Sequence, residues 1–391
     1  MLMKLFTKSG CVFIFCFSLS IQLFSQTSKV WVTIQNESDI PVYNSDGTLY
    51  STDSTFNSYI QSLQIFSCEK ALPSSRNSDL QKVYEISCNC DYADLKSTLT
   101  NQVSAVSGVE RAPKYDTLHT PNDYTLIPYI NNYALNLINA PSAWDLTKGD
   151  TNVVIAITDQ GFNPLHSELL GKFVHFNSGS TTTTHGNAVS ILAAGNTNNN
   201  YGLSAIGYNC KMGLYAMNYN EVLNAAYAGA RVINLSWTSG CPYNSYEQLC
   251  VDEAYDAGAF LVVAAGNGNT CGVPSAYVYP SVYNHAFAVT SIGANNNHEQ
   301  IPNDSTSTHQ HNDKVDLAAP GYDVAVTPAD GWYLNHSGTS YAAPIVSGTI
   351  GLMLSINPCL SRKDIDTILK LSAFPIDSIN PNYAGKLGAG R

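Results

Sequence analysis

The sequence predicts an α/β fold with a mainly parallel central sheet, preceded by a small α+β domain. From about residue 140, apolar and β-branched runs end in small or polar residues, at positions 153–159, 231–237, 260–267, 287–294 and 315–321. Helical segments at 185–194 and 220–230 lie between several of these runs. Near-continuous apolar strands that alternate with helices are typical of a parallel sheet covered on both faces.

The preceding segment, residues 26–115, has a different pattern. Positions 29–35 and 83–88 alternate between apolar and polar residues, and 106–112 reads as a further short strand. Between them, positions 92–103 carry leucines at helical spacing. This pattern predicts a small α+β domain. Residues 116–139, which contain prolines and asparagines, are expected to be a linker and the start of the larger domain, 140–391.

Composition excludes two classes of partner. Charged residues make up 13% of the chain, hydrophobic residues 44%, and the formal net charge is −11. Binding to nucleic acid requires a basic surface that neutralises phosphates, and an anionic membrane surface requires the same. The sequence therefore predicts no nucleic-acid partner and no electrostatic attraction to a membrane.

The N-terminus reads as a signal peptide, residues 1–25. Lys4 and Lys8 precede an apolar run at 11–24, and Ser25 follows it. A positive segment, an apolar segment too short to span a bilayer and a small residue at the cleavage position are typical of export signals. The alternative is a single membrane anchor. We expect a secreted or extracytoplasmic protein, free or attached to a surface, without stable membrane insertion.

The ten cysteines leave the disulfide pattern open. Export would place the chain where disulfides persist. Five cysteines fall within 140–391, so at least one of them stays unpaired or pairs elsewhere. The spacings do not form a zinc pattern, because Cys88 and Cys90 are too close together and no second pair lies near them.

Four segments hold the residue types that hydrolysis of an amide requires: a nucleophile, a base, a group that orients the base, and oxyanion donors. Ser340 lies at the predicted start of a buried helix, where free N–H groups favour negative charge. His185 opens another helix and suits a general base. Asp159 ends a strand and can orient an imidazole. Asn267 can donate to an oxyanion together with the Ser340 backbone N–H. Taken singly, these residues could equally be a helix cap, a surface histidine and turn residues.

Together the four segments resemble the subtilase family of serine proteases over residues 120–391. VIAITDQG at 154–161, THGNAV at 184–189, VVAAGN at 262–267 and SGTSYAAP at 337–344 resemble its aspartate, histidine, oxyanion and serine motifs. The chain order Asp, His, Ser agrees with that family. The resemblance implies a subtilisin-like three-layer fold and a secreted serine endopeptidase that works through an acyl-enzyme. Asp159, His185 and Ser340 would form its triad, and Asn267 and Ser340 its oxyanion hole. Residues 26–115 would be an inhibitory pro-domain, cleaved off between residues 111 and 129.

The resemblance also implies binding residues, which are Ser236, Trp237, Thr238, Ala264, Ala265, Gly266 and Val278. A valine at 278 would shorten the primary pocket and favour small or medium apolar side chains before the scissile bond. No cofactor is expected for the chemistry. The family often binds calcium after the histidine helix, which implies a site at 196–200 with Asn198 and Asn200 as oxygen ligands, although this loop holds no carboxylate. The implied partners are protein or peptide substrates and the chain's own pro-domain, and a monomer is expected.

The chain departs from the family pattern near the motifs. Gln160 stands where serine or threonine is usual, Asn187 and Ser190 replace threonine and alanine, and Ile345 replaces a histidine. None of these removes a catalytic atom, and we interpret them as tuning. They leave open the alternative of a catalytically weak or inactive peptide-binding protein. An esterase or lipase would share the chemistry, but Gly-x-Ser-x-Gly is absent around Ser340. Residues 387–391 resemble the approach to a last helix, which the peptidase domain is expected to lack.

Overall fold

The computed structural model describes residues 27–113, 119–180, 184–298 and 308–391. These residues form two compact units, one on each side of residues 114–118. The predicted signal peptide lies outside the described residues, as does part of the predicted cleavage region.

The first unit is a four-stranded antiparallel sheet with two helices. Its elements are β1 (Ser28–Ile34), β2 (Val42–Tyr43), β3 (Leu49–Tyr50), α1 (Ser54–Ser62), β4 (Ile65–Lys70), β5 (Val83–Cys88), α2 (Tyr92–Gln102) and β6 (Val106–Arg111). The sheet order is β4-β5-β1-β6, a split βαβ arrangement, and β2 and β3 form a separate hairpin. Val30 and Val32 of β1 point inward and belong to one buried cluster with Leu95 and Leu99 of α2. This unit therefore has a hydrophobic core of its own.

The second unit contains the remaining elements in the order of the chain. They are α3 (Tyr133–Leu137), α4 (Ala140–Leu146), β7 (Val154–Asp159), β8 (Phe173–Asn177), α5 (His185–Ala194), β9 (Lys211–Ala216), α6 (Tyr219–Tyr227), β10 (Val232–Leu235), α7 (Ser245–Asp256), β11 (Phe260–Ala264), β12 (Ala286–Ile292), β13 (Leu317–Pro320), β14 (Val324–Ala329), β15 (Trp332–His336), α8 (Thr339–Ile356) and α9 (Arg362–Ser372).

Seven parallel strands form the centre of this unit, in the order β13-β12-β11-β10-β7-β9-β8. The predicted α/β fold with a mainly parallel sheet is confirmed. The strand order reverses between β10 and β7, and in open parallel sheets ligands bind beyond the carboxyl ends of the strands at such a point. A ligand site is therefore expected among the residues that follow β7 and β10.

Helices cover both faces of the sheet. Ile155 and Ile157 of β7 face α5, α8 and α9, whereas Ala156 between them faces α6 and α7. This alternation produces the three layers. Among the described residues, α8 alone is long and apolar enough to cross a membrane, but 72% of it is buried in this unit. It is a core helix, and Gly348 allows it to lie against α5, because a side chain there would meet the Ala193 carbonyl at 2.6 Å.

Candidate active site

Asp159 and His185 form a hydrogen-bonded pair at the strand-order reversal. Asp159 is the last residue of β7 and is 1% exposed. His185 is the first residue of α5, and its Nδ1 lies 2.9 Å from each carboxylate oxygen of Asp159. The backbone N–H of Gln160 donates to Asp159 Oδ1 at 2.7 Å, so the backbone supplies a donor to this carboxylate. A carboxylate at Nδ1 favours the tautomer that leaves Nε2 free to accept a proton.

The electrostatic surroundings of His185 raise its pKa. Burial alone acts to lower the pKa of the imidazole, but the hydrogen bond to Asp159 and the negative charge of that carboxylate outweigh it. The imidazolium is therefore stabilised where a general base would have to collect a proton.

Ser340 lies in the first turn of α8, and hydrogen bonds with Ser236, directly after β10, fix its position. Its hydroxyl donates to the Ser236 backbone carbonyl at 3.2 Å rather than to the imidazole of His185. In return, Ser236 Oγ donates to the Ser340 carbonyl at 2.9 Å, and the Asn234 side-chain amide donates to Ser236 Oγ at 2.8 Å. The side-chain oxygen of Asn234, Oδ1, also accepts from the Ser347 hydroxyl of α8 at 3.0 Å. Sequence reasoning missed Asn234, although a fully buried amide within an apolar strand is itself a signal.

Asn267 presents a free amide to the same place. Its Oδ1 accepts from both the backbone N–H and the hydroxyl of Thr339, at 2.9 and 3.0 Å. Since the oxygen is engaged in this way, the Nδ2 end of the amide is turned away from Thr339. Nδ2 donates to no residue in the described part of the chain. A fixed amide with unused N–H groups beside a helix N-terminus can stabilise an anion.

These groups line one cleft. Its described lining residues are Asp159, Gln160, His185, Met217, Ser236, Trp237, Thr238, Ala264, Gly266, Asn267, Thr270, Thr339 and Ser340. Of the predicted binding residues, Ala265 and Val278 are not among them. Val278 is fully buried, and its methyl groups lie behind Gly266, 3.4 Å from the position of a Cβ there. Met217 and Thr270, which the sequence analysis did not single out, lie at the carboxyl-terminal side of β9 and β11.

A disulfide joins the two walls of the cleft. Cys241 follows the wall of Ser236–Thr238, and Cys271 follows Thr270, and the two cysteines are bonded. The first wall is also tied by backbone, because Ser239 N–H donates to the Tyr279 carbonyl at 2.8 Å. A second disulfide joins the close pair Cys88 and Cys90 in the first unit. The cysteines that remain free among the described residues are Cys68, Cys210, Cys250 and Cys359.

Of the four departures near the motifs, Gln160 lines the cleft and the other three are structural. Asn187 is buried, donates to the Pro328 carbonyl at 2.8 Å and accepts from the Asn163 N–H at 2.8 Å. Ser190 is also buried, and its hydroxyl donates to the Gly186 carbonyl at 2.6 Å. Ile345 packs in a hydrophobic cluster of the second unit. None of the three lines the described cleft.

The predicted calcium loop contacts the start of the second unit. Asn198 and Asn200 both have left-handed backbones, with φ of 62° and 60°. Asn198 Oδ1 accepts from the Asn122 N–H at 3.0 Å, and the Asn200 N–H donates to Asn122 Oδ1 at 2.7 Å. The neighbouring Asp123 is buried and accepts from the Asn199 N–H at 3.2 Å.

The predicted calcium loop has no carboxylate in its own sequence, but the carboxylate of Glu168 lies close to it. Glu168 is fully buried, and neither of its carboxylate oxygens has a hydrogen-bond partner among the described residues. Oε1 lies so close to the loop that a Cβ on Gly202 would stand 1.9 Å from it. Burial acts most strongly on Glu168 and the Asp123 carboxylate adds to it, while the Asn199 side chain opposes both, and together these effects raise the pKa of Glu168 to about 8. A buried carboxylate without a hydrogen-bond partner is a hard oxygen ligand of the kind that Ca²⁺ prefers, although the described residues contain no group of three acidic, histidine or cysteine side chains that could hold a metal ion.

The fold and the cleft define a class of protein. A serine, a histidine and an aspartate share one cleft at the carboxyl ends of a parallel sheet, an arrangement known from serine hydrolases. The model of the subtilase family matches residues 150–390, and the chain belongs to this family. It is therefore a subtilisin-type serine endopeptidase.

Individual relatives agree. Thermitase of Thermoactinomyces vulgaris is 35% identical over 258 residues, which cover 61% of this chain and 86% of thermitase. A halolysin-like extracellular serine protease of Natrialba magadii is 32% identical over 279 residues, covering 64% of this chain. This chain spans about half of that protein's length, 48%. In fold, a protease from Pseudoalteromonas arctica is similar with a TM-score of 0.55 at 23% identity, covering 70% of this chain and 96% of that one.

Proposed function

We propose that this chain is a secreted serine endopeptidase, made as an inhibited precursor, in which Asp159, His185 and Ser340 are the catalytic triad. One observation carries the proposal. The buried Asp159 carboxylate lies 2.9 Å from His185 Nδ1 in a cleft that Ser340 and Asn267 also line. An orienting carboxylate, a base, a nucleophile and a free amide donor are the groups that acyl transfer needs.

The geometry suggests how these residues act. Ser340 Oγ leaves the Ser236 carbonyl, donates to His185 Nε2 and attacks the carbonyl carbon of the substrate while the imidazole takes its proton. The oxyanion accepts from Asn267 Nδ2 and from the Ser340 backbone N–H. The imidazolium, stabilised by Asp159, returns the proton to the leaving amine. A water then attacks the acyl-enzyme, gives a proton to His185, and the acid product leaves as Ser340 regains its hydrogen.

The cleft suggests the substrate class. Residues 236–238 form a wall of the cleft beside Ser340, and an extended peptide can pair with such a segment through its backbone. Backbone pairing gives affinity with little choice of sequence, which suits protein substrates. Val278 stands behind Gly266 and limits depth there, and this supports a preference for small or medium apolar side chains before the scissile bond. A peptide library in which Phe, Tyr or Arg at that position beat Ala, Val and Leu would remove this preference.

The precursor part of the proposal concerns residues 26–115 and the N-terminus. The first unit has its own core and sheet, as an attached inhibitor with a separate fold would. The Lys-flanked apolar run at 11–24 and the extracellular relative of Natrialba magadii support export. We expect the wild type to be cleaved between residues 111 and 129, and Ser340→Ala to stay uncleaved. Intact mass of the two secreted proteins measures this, and cleavage of Ser340→Ala at the same place would show that another protease removes the first unit.

Calcium is proposed as a structural ligand only. Glu168, Asn198 and Asn200 would supply oxygen ligands, and the cation would balance the buried Glu168 carboxylate and stabilise the loop. A chelator should then lower the melting temperature, and Glu168→Gln should abolish the difference between calcium and chelator. Glu221→Gln is the control, because Glu221 is another buried carboxylate with an unpartnered oxygen, on α6. Equal melting temperatures in calcium and chelator for the wild type would contradict the site.

The catalytic proposal is tested with a fluorophosphonate probe, which labels only an activated serine. Matured wild type should be labelled, and Ser340→Ala should not. Hydrolysis of a protein substrate set against a small ester then separates a peptidase from an esterase. A folded, matured wild type that resists the probe would favour a protein that binds peptides without cleaving them.

A further inference from the structure

The carboxylate of Glu247 lies outside the cleft but contacts the elements that form it. Glu247 is a half-buried residue of α7. One oxygen, Oε2, accepts from the hydroxyls of Ser239, Tyr219 and Tyr283, at 2.6, 2.9 and 2.9 Å. Hydrogen bonds to a carboxylate are short and strong, and three on one oxygen fix their donors relative to one another.

The first of these donors belongs to a cleft wall. Ser239 directly follows Thr238, which lines the cleft, and its side chain reaches Glu247 and the Tyr219 hydroxyl. Ser239 is exposed, so without Glu247 water would solvate its hydroxyl, and this end of the wall would keep only its backbone bonds to Tyr279 and the disulfide at Cys241. Glu247 therefore anchors this wall on the side away from Ser340.

The second donor supports the aromatic residue of the same wall. Tyr219 packs edge-on against Trp237, with ring centres 5.3 Å apart. Trp237 lines the cleft, and its indole N–H donates to the Thr158 hydroxyl at 2.9 Å. Burial raises the pKa of Tyr219, and its hydrogen bond to Glu247 raises it further, so the phenol remains a donor. Glu247 thus holds Tyr219, and Tyr219 holds Trp237.

On the side of the cleft formed by the connection between β9 and α6, few residues could contact a substrate in place of the wall that Glu247 anchors. Only Met217 and Asn218 connect β9 to α6, and of the two only Met217 appears in the described lining. An extended substrate would then depend on the wall of residues 236–238 for its backbone contacts.

We propose that Glu247 is a positioning residue that sets the affinity of the cleft for the substrate residues preceding the scissile bond. It acts through Ser239 and through Tyr219 and Trp237, and touches neither substrate nor the triad. This inference rests on the proposed function, because it deepens the description of the same cleft. It predicts a loss of binding for extended peptides and no loss of nucleophile activation.

The test is Glu247→Gln, which keeps the size of the side chain and removes its charge. Glu253→Gln is the matched control, because Glu253 accepts from Tyr227 at 2.5 Å on the exposed side of the same helix. For a tetrapeptide amide, KM should rise roughly tenfold in Glu247→Gln, the factor that corresponds to about 1.4 kcal/mol. The kcat, the rate of fluorophosphonate labelling and the KM of a single-residue ester should stay within about twofold of the wild type, a difference of about 0.4 kcal/mol. Ser239→Ala should show the same KM pattern, weaker.

A binding measurement separates this proposal from the catalytic one. With matured protein, the dissociation constant of an extended peptide that carries a non-hydrolysable ketomethylene group in place of the scissile amide, followed by tryptophan fluorescence, should also rise with Glu247→Gln and not with Glu253→Gln. Unchanged binding and unchanged KM would overturn the role of Glu247. An equal loss for the short ester and the extended peptide would overturn it as well, in favour of general destabilisation. A wild type that binds peptide but resists the probe would instead refute the proposed function and leave this binding result standing.

Discussion

Removal of the disulfide between the cleft walls should cost both stability and substrate affinity. Cys241 and Cys271 are 30 residues apart in sequence and close a loop that contains α7 and β11. In the chain-entropy account, a cross-link that closes a loop of 30 residues stabilises the native state by about 3.6 kcal/mol at 25 °C. Cys271 directly follows the lining residue Thr270 and Cys241 lies three residues after Thr238, so the walls should also become more mobile when the bond is lost.

The assay is urea unfolding of the matured protein after the reactive serine has been blocked with a fluorophosphonate. Blocking prevents self-digestion during the measurement. The double variant Cys241→Ser/Cys271→Ser is compared with wild type, and Cys359→Ser, which removes an exposed free thiol, serves as the control. We expect the free energy of unfolding to fall by about 3 to 4 kcal/mol in the double variant, with the control within about 0.5 kcal/mol of wild type.

One result would refute the reasoning. If the double variant unfolds within about 1 kcal/mol of wild type at an equal m-value, the closed loop does not restrict the unfolded chain as assumed. A large loss of stability with an unchanged KM for extended peptides would keep the entropy account. It would show, however, that the walls hold their positions without the bond.

Three further predictions concern charge and hydrogen bonding. Because Asp159 raises the pKa of His185 and the base must be unprotonated, the acid limb of kcat/KM should have its midpoint above 6.5, and Asp159→Asn should move it down. A midpoint at or below 6.5 in wild type would contradict the assignment. Asn267→Ala should lower kcat by about 10²- to 10³-fold with little change in KM, which is the loss known for the equivalent oxyanion donor of a subtilisin. An unchanged kcat would show that the oxyanion binds elsewhere. Burial, together with the nearby His298, lowers the pKa of His309 to about 3. Between pH 6.5 and 3 the unfolded chain therefore binds a proton at His309 and the folded chain does not, so the free energy of unfolding falls as the pH drops through that window. The loss is about 1.6 kcal/mol from pH 6.5 to 5 in urea unfolding, because the unfolded histidine is already half protonated at pH 6.5, and His309→Phe should reduce it while the exposed control His175→Phe should not.

The strands and the positions of the motif residues could be predicted because both depend on local sequence. An apolar run that stops at a polar residue marks the carboxyl end of a parallel strand, and Asp159 and Asn267 both follow such runs. The predicted helix 185–194 agrees with α5. The predicted strand 231–237 is longer than β10, Val232–Leu235. Ser236 leaves the sheet because its polar groups bond to Ser340, a contact that the local pattern does not contain.

Contacts between distant segments could not be predicted. Glu168 lies between β7 and β8, and the predicted calcium loop follows α5. The two come together only because β7 and α5 pack side by side. The pairing of Cys241 with Cys271 depends on which loops meet at one edge of the sheet, and a count of cysteines cannot decide that. Glu247 accepts hydrogen bonds from three separate segments of the chain, and nothing in the neighbouring sequence of α7 indicates these contacts.

The burial of α8 has a consequence for the lifetime of the protein. The helix carries Ser340 at its start, contacts α5, β7 and the strands β10 to β13, and is bonded to β10 through Ser347 and Asn234. A cut in the chain that loosens α8 would displace Ser340 from the other cleft groups at the same time as it opens the core. Damage that reaches α8 would therefore end activity and stability together, so a fragment cut in this way would not remain an active protease.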